Sequence, residues 1–586
     1  MKEENNSYPK NYSIDKWKAI KDFKKIIVFF LVLLIVFSVS SPVFAHKAHK
    51  TNFDSKTNQN INQEPAIPTT TPILVDSLTI TMPTSNLTNS GELQVETIIT
   101  SSIATNSTIT NTLEPIRDEI NSQGPKTYYL SPTGSDSSSG TSADSPWLTP
   151  NHTINCGDTI LAAPSTSYNA SNFTSGKWGT VSCVSGNNVA WLKCSSFDSC
   201  KVEANGNDAI RVSESYWGVQ GWETTNSSGA CFTASPASSI VTIHHIIFAN
   251  NIANGCKNNG FNSYPYSGTR GPSGVDYLAI IGNLVYNAAG GNSKCFSGIS
   301  VYEPRNFDTK PGTHIYITQN ISWSNVDGLS CPGNSDGNGI ILDDWNGDQS
   351  SFTIPYSGQG VVENNLVMGN GSSGIEAFHN SIAPIIIHNN TSYANYTDPN
   401  HKGSYKGEIL ISWSSNVTSK YNIANSIVSS GGESNYPIYA FYIGKGDSVN
   451  NVDYLWAYSK FGNNTGINNS PGFSFGSHLI LGTAPNFSNP SVPGAPMCKG
   501  TVNTLDCMKV TLANFEPFAK GIADYGYQPV INAYASNNYH PSWLCNVTIP
   551  NGLISNYCNS ENQPPKSLAF KTFFPILTHF SDLHNN

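Results

Sequence analysis

Apolar and polar residues alternate along short segments that recur through the middle of the 586-residue chain. Each segment has an apolar strand, an Asn, and further alternating residues that end in Asn or Ser, as in YLAIIGNLVYN (277–287), HIYITQNISWSN (314–325), GVVENNLVMGN (360–370), PIIIHNNTSYAN (384–395) and TSKYNIANSIVSS (418–430). Steps of 37, 45, 25 and 35 residues separate the aligned residues Asn283, Asn320, Asn365, Asn390 and Asn425. A strand repeat of this period is typical of a solenoid, whose coils bury their apolar faces by stacking.

A second strand lies between successive Asn motifs and begins after a glycine. Its copies read GISVYEP (298–304), GIILDDW (339–345), GIEAFHN (374–380) and GEILISW (407–413). Because strand side chains alternate between two faces, the first and third residues after the glycine should point inward. Glu408 interrupts this inward column, so its strand is expected to be offset by one residue. The pattern predicts an all-β fold, a right-handed parallel β-helix over residues 126–480, with stacked Asn ladders.

The two ends of the chain differ from the repeat. In residues 1–45 a Lys-rich start precedes the apolar run Ile26–Val39, and Val43 and Ala45 follow in the spacing of a cleavage site. Together these features indicate a secretory signal. An uncleaved anchor is the alternative, because Ile26 to Ala45 is long enough to span a bilayer. Residues 46–125 are rich in Ser, Thr, Asn and Pro and predict a linker. Residues 481–586 predict an irregular, disulfide-bonded cap over the last coil, which would otherwise expose a strand edge.

Composition narrows the class of protein. Only 12% of residues are charged and 38% are hydrophobic, which excludes a charge-rich disordered chain and disfavours a helical bundle. The formal net charge of −9 argues against a nucleic-acid partner, because phosphate binding requires clustered Lys and Arg. Membrane contact is expected only through an uncleaved N-terminal segment, and the protein is expected to be monomeric.

The cysteines indicate an oxidising compartment. There are 12 of them, and none forms a CxxC motif. An even number in an exported chain indicates disulfides. The expected pairs are Cys194 with Cys200, Cys231 with Cys256, Cys295 with Cys331, Cys498 with Cys507, and Cys545 with Cys558. The protein is therefore expected to be secreted, periplasmic or attached to the cell surface.

The start of the repeat carries a family resemblance. YYLSPTGSDSSSGTSADSPWLT (128–149), followed by CGDTILAAPSTSY (156–168), resembles the opening of right-handed β-helix proteins of the pectate-lyase-like superfamily. The matching residues are Ser131, Pro132, Gly134, Asp136, Gly140, Thr141, Pro146, Trp147, Gly157, Asp158 and Thr159. The resemblance implies the fold but not the reaction, because the superfamily contains lyases, hydrolases, epimerases and non-catalytic surface proteins.

Acidic residues gather on the outward columns of the second strand. Glu303, Asp344 and His379 align in the fifth column on consecutive coils, with Asp343 and Glu376 beside them. One coil step is about 5 Å, near the carboxyl separation of retaining glycosidases, and two steps approach the inverting range. Close carboxyl groups also raise one another's proton affinity, which separates an acid from a base. The alternative is a surface turn, because Asp with Gly is common in tight loops.

The resemblance implies further roles near this cluster. Some β-helix lyases hold calcium with Asp residues, which suggests a calcium ion bound by Asp336, Asp343 and Asp344 as an alternative use of the acids. Such lyases use Lys or Arg as the base, for which Lys406 is the candidate, and Arg305 could neutralise a substrate carboxylate. Trp345 and Trp413 are candidates for stacking on sugar rings. Packing in the core is the alternative explanation for both.

Two functions remain open from the sequence. The first is an exported carbohydrate-active protein that cleaves a polysaccharide by β-elimination or hydrolysis. The second is a non-catalytic, cell-surface glycan-binding or adhesin-like β-helix protein. Both take a polysaccharide or glycan as partner.

Overall fold

The structure, a computed structural model, describes residues 124–487 with short internal gaps, and three pieces of the C-terminal region. The gaps are 184–188, 204–205, 267–271, 292–294, 329–330, 332–335, 350–353, 401–406, 429–438, 444–449, 461–466 and 469–472. The C-terminal pieces are 525–526, 541–544 and 547. The predicted signal or anchor (1–45) and all but the end of the predicted linker lie outside these residues. No helix within the described part is long and apolar enough to cross a membrane.

Three parallel sheets make up most of the described chain, with strands numbered in chain order. Sheet 1 has 12 strands: β1 (Thr127–Leu130), β3 (Thr159–Ala162), β6 (Ala190–Cys194), β9 (Trp217–Gln220), β12 (Ile243–Ala249), β15 (Val275–Ile281), β18 (Thr313–Thr318), β21 (Gln359–Glu363), β24 (Ile385–His388), β27 (Val417–Lys420), β30 (Asn450–Asp453) and β33 (Phe473–Phe475). Sheet 2 has 11: β4 (Ser165–Asn169), β7 (Cys200–Glu203), β10 (Trp222–Thr225), β13 (Ile252–Asn254), β16 (Leu284–Tyr286), β19 (Ile321–Trp323), β22 (Leu366–Met368), β25 (Thr391–Tyr393), β28 (Ile423–Ser426), β31 (Leu455–Ser459) and β34 (Leu479–Leu481). Sheet 3 has nine: β8 (Ile210–Val212), β11 (Phe232–Ala234), β14 (Phe261–Ser263), β17 (Ile299–Tyr302), β20 (Ile340–Asp343), β23 (Ile375–Phe378), β26 (Gly407–Ser412), β29 (Tyr439–Ile443) and β32 (Ile467–Asn468).

The chain visits the three sheets in turn, and each strand pairs with the strand one coil later. This strand order confirms the predicted right-handed parallel β-helix. A short fourth sheet joins β2 (Ile154–Asn155) to β5 (Val181–Ser182), and two 3-10 helices span Ala170–Phe173 and Ser542–Leu544.

The core lies inside the coils because alternate residues of each strand are apolar. Leu278 and Ile280 of β15 pair with Ile315 and Ile317 of β18, and all four side chains are fully buried. In sheet 3, Ile375 pairs with Ile409, so Glu408 falls outside the inward column. The predicted one-residue offset of this strand is therefore confirmed.

An asparagine ladder runs through the turn between sheets 1 and 2. Its members are Asn251, Asn283, Asn320, Asn365, Asn390 and Asn422. From Asn283 onward, the Oδ1 of each member accepts the backbone N–H of the Asn one coil earlier, at 2.8–2.9 Å. Asn425, which the sequence pattern placed in this ladder, lies instead on β28 and pairs with Tyr393. That part of the prediction was wrong, because YNIAN offers two asparagines three residues apart.

Removing one rung should destabilise the whole fold. The Asn365 amide donates to Ile317 O, Glu363 O and Asn390 Oδ1 at 3.0 Å, all of them buried. We expect Asn365→Ala to lower the free energy of unfolding by about 2–4 kcal/mol, because buried polar groups left without partners cost ~1–3 kcal/mol each. Urea denaturation would measure this loss. Asn151→Ala, at an exposed position, should change stability by no more than about 0.5 kcal/mol; equal losses in the two variants would contradict the ladder's role.

A second ladder follows sheet 2 and explains the unusual glutamate. Asn325, Asn370 and Asn395 stack in the same way over three coils. At the next coil the Glu408 carboxylate accepts the Asn395 N–H at 3.1 Å and the Ser392 hydroxyl at 2.7 Å. Glu408 is fully buried and supplies the acceptor that another Asn would supply.

The N-terminal motif closes the first coil. The Asp136 carboxylate accepts the Thr149 N–H at 2.8 Å and the Leu148 N–H at 3.0 Å. The Trp147 ring packs over Gly140, whose φ of 69° and closeness to that ring exclude a side chain. Asp136, Gly140 and Trp147, three of the residues that carry the family resemblance, therefore act as structural supports.

Four disulfides lie in the described part of the chain. The bonds Cys194–Cys200, Cys231–Cys256 and Cys295–Cys331 confirm three predicted pairs. The bond Cys156–Cys183 was not predicted, although both residues lie close to the first coil.

The two remaining predicted disulfides fall in the C-terminal region. They join Cys498 with Cys507, and Cys545 with Cys558. All four of these cysteines lie outside the described residues, so both pairs stay predictions.

The described C-terminal residues pack against the β-helix at two places. Tyr525 donates its hydroxyl to His478 O at 3.3 Å, between the last two strands. Trp543 is buried and donates its indole N–H to Thr313 O at 3.1 Å, five strands before the end of sheet 1. Its ring packs edge-on against His245 and Tyr277. Leu544 joins the same outer apolar cluster. Trp543 and Leu544 thus cover part of sheet 1, and most of the predicted cap region, residues 481–586, lies outside the described residues.

Candidate active site

A column of left-handed residues ends the strands of sheet 3. Glu303, Asp344, His379 and Trp413 follow β17, β20, β23 and β26, and their φ angles lie between 44° and 50°. The strand register places the first three side by side, as the sequence predicted. The fourth member is Trp413, because the offset of β26 pairs Ser412 with Phe378 and not with His379.

The first two members of the column are buried and cannot touch a polymer directly. Glu303 is 1% exposed and Asp344 is 0% exposed. Arg305 is also buried, and its guanidinium donates to Glu303 Oε2 at 2.7 Å. The prediction that Arg305 binds substrate is therefore wrong, because its guanidinium forms a buried ion pair with the Glu303 carboxylate. Glu303 and Asp344 support the site from within.

Asp344 connects this interior to a histidine at the surface. Its carboxyl accepts the Asp348 N–H at 3.1 Å and the Gln349 N–H at 2.9 Å. Burial, followed by contacts with the carboxyl groups of Asp348 and Glu303, raises the pKa of Asp344 to about 8. His379 Nδ1 lies 3.9 Å from Asp344 Oδ1 and 2.7 Å from Asp348 Oδ1. The segment DDWNGD places Asp348 four residues after Asp344.

A second group of carboxyls lies on the outward face of sheet 3. Asp343 and Asp336 are half-buried, and Glu376 is 7% exposed on the strand after Asp343. Burial and the charge of Asp336 raise the pKa of Glu376 to about 8. Burial and the charges of Asp336 and Glu376 also raise the pKa of Asp343 well above its usual range. These three residues are called here the carboxyl cluster.

The two candidate tryptophans have different surroundings. Trp345 is fully buried and donates its indole N–H to Val301 O at 3.1 Å, so its predicted contact with substrate is wrong and packing explains it. Trp413 is 40% exposed, and its ring centroid lies 5.0 Å from that of His379 and 5.8 Å from that of Phe378. Lys406 lies outside the described residues, and its predicted role as a base stays a prediction.

The predicted calcium ligands belong to two different groups. Asp336 and Asp343 lie in the carboxyl cluster, whereas Asp344 is directed toward Asp348 and His379. Ligand atoms of Asp344, Asp348 and His379 lie within 4.8 Å of one another, but a histidine nitrogen is a poor calcium ligand. The carboxyl cluster offers only oxygen ligands, and its negative charges are close enough to raise one another's pKa. Of these two groups, only Asp344, Asp348 and His379 bring their ligand atoms within 4.8 Å of one another, whereas the carboxyl cluster supplies only oxygen atoms.

The buried carboxyls predict a distinct pH dependence of stability. Burial raises the pKa of Glu408 to about 7 and that of Glu376 to about 8. Because these values exceed those of the unfolded chain, the two groups stabilise the fold at low pH, and that contribution is lost as pH rises through 7 to 8. We expect the free energy of unfolding to be highest near pH 5 and to fall by about 3 kcal/mol up to pH 9 from Glu408 alone.

Chemical denaturation at several pH values between 5 and 9 would measure this decline. Glu408→Gln should flatten the curve, because Gln carries no charge to bury. A wild-type stability that rises toward pH 9 would contradict the assignment.

Comparison with known proteins adds structural likeness only. No protein-family model and no curated protein matches this chain. Solved structures do match. Pectate lyase Pel9A matches with 17% identity and a TM-score of 0.32, over 60% of this chain and 82% of that one. The lacto-N-biosidase of Eubacterium ramulus matches with 12% identity and a TM-score of 0.33, over 59% and 57%. A rhamnogalacturonan lyase matches with 15% identity and a TM-score of 0.27, over 53% and 84%. Likeness at this level does not assign a reaction, which has to be inferred from this chain's own side chains.

Proposed function

We propose that the protein is an exported carbohydrate-active enzyme that hydrolyses a polysaccharide at the carboxyl cluster. The observation that carries this proposal is the raised pKa of Glu376, about 8, beside the half-buried Asp343 and Asp336. A carboxylic acid that keeps its proton at neutral pH can act as a general acid. In a chain with 12% charged residues, three carboxyl groups on one outward face stand apart from the uncharged surface.

The roles of the three carboxyls follow from their surroundings. Glu376 would donate its proton to the glycosidic oxygen as the bond breaks. The Asp336–Asp343 pair would hold the negative charge and accept a proton from the attacking water. Glu376 and Asp343 lie on adjacent strands, two residues apart in register, so their Cα atoms are about 8 Å apart.

The surroundings of the cluster suit a sugar polymer. Tyr302 and Phe378 flank Asp343 in the same outward column, and Trp413 follows beyond His379. Aromatic rings provide flat apolar faces, and sugar rings stack on such faces. The four disulfides of the described chain are typical of proteins in oxidising compartments, which supports export.

Incubation with neutral and acidic polysaccharides, each with added calcium and with chelator, tests this proposal. Hydrolysis would release reducing ends without absorbance from an unsaturated uronide. That absorbance would instead indicate β-elimination, with Lys406 as the base, and would overturn hydrolysis. Glycan binding with no cleavage across the panel would favour the non-catalytic, adhesin-like alternative.

A bound calcium ion is the second proposal for the carboxyl cluster. Asp336, Asp343 and Glu376 would supply carboxylate oxygens, and the ion would offset their mutual repulsion. Calcium should then raise the Tm of the wild-type protein at neutral pH but leave that of Asp343→Asn unchanged. Equal Tm values in calcium and in chelator would rule the ion out.

A further inference from the structure

One of the four described disulfides lies beside a buried carboxyl group. Cys295 and Cys331 lie in successive turns that lead from sheet 2 to sheet 3. A carboxyl oxygen of Asp327 lies within 4.8 Å of both sulfur atoms. In the part of the chain that the structure describes, no other disulfide has a carboxyl oxygen this close to both of its sulfurs. The neighbouring acid therefore sets this bond apart from the other three.

The Asp327 side chain is fixed from both segments of the disulfide. Asp327 is 6% exposed, and its Oδ1 accepts the Gly328 N–H at 2.9 Å and the Phe296 N–H at 3.3 Å. Phe296 directly follows Cys295, so the second bond ties the carboxyl group to the segment of its neighbour. Gly337 packs against the Asp327 backbone, where its φ of 87° and the closeness of the Asp327 nitrogen exclude a side chain.

The second carboxyl oxygen of Asp327 is available for proton transfer. Asp327 Oδ2 is buried, and no described residue forms a hydrogen bond with it. Buried side-chain oxygens usually have a partner, so an exception calls for an explanation. Burial, followed by the charge of Asp336, raises the pKa of Asp327 to about 8, and the charge of Asp398 acts in the same direction. A carboxyl group that keeps its proton at neutral pH can give it to a leaving thiolate.

The two sulfurs differ in their access to solvent. Cys295 is half-buried, whereas Cys331 is 2% exposed. An external thiol can therefore reach Cys295, and attack at that sulfur makes Cys331 the leaving group. The Cys194–Cys200 bond also joins a half-buried cysteine to a buried one, but no described carboxyl oxygen lies within 4.8 Å of both its sulfurs. It is the natural comparison for the effect of the acid.

We propose that the Cys295–Cys331 bond is a site of thiol–disulfide exchange with an external dithiol, and that Asp327 is the acid that protonates the leaving sulfur. This inference goes beyond polysaccharide hydrolysis and does not depend on it.

The exchange takes two steps. A thiolate of the dithiol attacks Cys295 Sγ, the bond between the cysteines breaks, and Cys331 leaves with the bonding electrons and takes the proton of Asp327. The second thiolate of the dithiol then attacks its own mixed disulfide, and Cys295 leaves as a thiolate that water protonates. The dithiol loses two electrons and becomes a disulfide, and the protein gains two thiols. The two protons that the dithiol releases to water replace the proton given to Cys295 and restore that of Asp327.

Reduction of the folded, full-length protein by dithiothreitol at neutral pH tests this inference. Samples taken over time are alkylated with iodoacetamide, and peptide mass mapping gives the reduction rate of each disulfide. A chelator is present, so that no calcium at the carboxyl cluster alters the charge near Asp327. We expect Cys295–Cys331 to be reduced ~10²-fold faster than Cys194–Cys200, which is the low end of what a positioned acid contributes.

The decisive variant is Asp327→Asn. Asn keeps the size of the side chain and can accept the same two backbone N–H groups, but it has no acidic proton. It should slow reduction of Cys295–Cys331 by ~10²-fold and leave the other disulfides unchanged. The matched control is Asp208→Asn, which replaces a half-buried aspartate in an earlier turn from sheet 2 to sheet 3 and should leave the rate at Cys295–Cys331 unchanged.

Three outcomes would overturn the proposal. The first is an equal reduction rate at Cys295–Cys331 and Cys194–Cys200 in the wild-type protein, a comparison that holds even if a variant does not fold. The second is faster reduction in Asp327→Asn, which would mean that the carboxylate repels the attacking thiolate. The third is an equal loss of rate in Asp208→Asn. Because no polysaccharide is involved, failure of the proposed hydrolysis would leave these results unaffected.

Discussion

Replacing Glu376 with Gln is expected to lower kcat for polysaccharide hydrolysis by about 10²–10⁴-fold while the β-helix stays folded. Gln keeps the size and hydrogen-bonding capacity of the side chain but has no proton to give to the leaving oxygen. Because the pKa of Glu376 is raised to about 8, the wild-type kcat should also decline as pH rises through that value. Release of reducing ends, followed from pH 5 to 10, would measure both effects.

Glu408→Gln is the matched control for this experiment. Glu408 is equally buried, and burial raises its pKa to about 7, but it lies at the end of the second asparagine ladder. We expect its replacement to alter stability above pH 7 and to leave kcat within a factor of about two of the wild type. If Glu376→Gln kept most of its activity, the proton donor would have to be sought elsewhere in the carboxyl cluster.

Much of the fold was predictable because a solenoid repeats one local rule. The period-two alternation fixes which residues point inward, and the stacked asparagines mark the same turn in every coil. The predicted offset at Glu408 was confirmed because a charged residue in an inward column has no other simple explanation. Asn425 was misplaced because two asparagines stand three residues apart, and only the hydrogen bond to Asn390 selects Asn422.

The candidate site was less predictable, since alternation ends where the strand ends. Register placed Glu303, Asp344 and His379 in one column, but their positive φ angles turn the chain so that the first two are buried. Trp345 follows that turn into the core, which a count of alternating positions cannot anticipate. Arg305 was assigned to substrate for a similar reason: its partner, Glu303, is only two residues away, and sequence does not show which of them is exposed.

Replacing Arg305 with Met is expected to destabilise the protein by about 3–5 kcal/mol, because it leaves the buried Glu303 carboxyl without its cation. The two side chains are 5% and 1% exposed, and Glu303 lies beside Asp344, so no solvent and no other cation in the described chain offsets the charge. The double variant Glu303→Gln/Arg305→Met should recover much of the loss, which urea denaturation of all three variants would measure. Lys310→Met removes an exposed ion pair with Asp308 and should cost less than about 1 kcal/mol. An Arg305→Met protein with wild-type stability and a raised KM for acidic polysaccharides would instead return Arg305 to the role of a substrate contact.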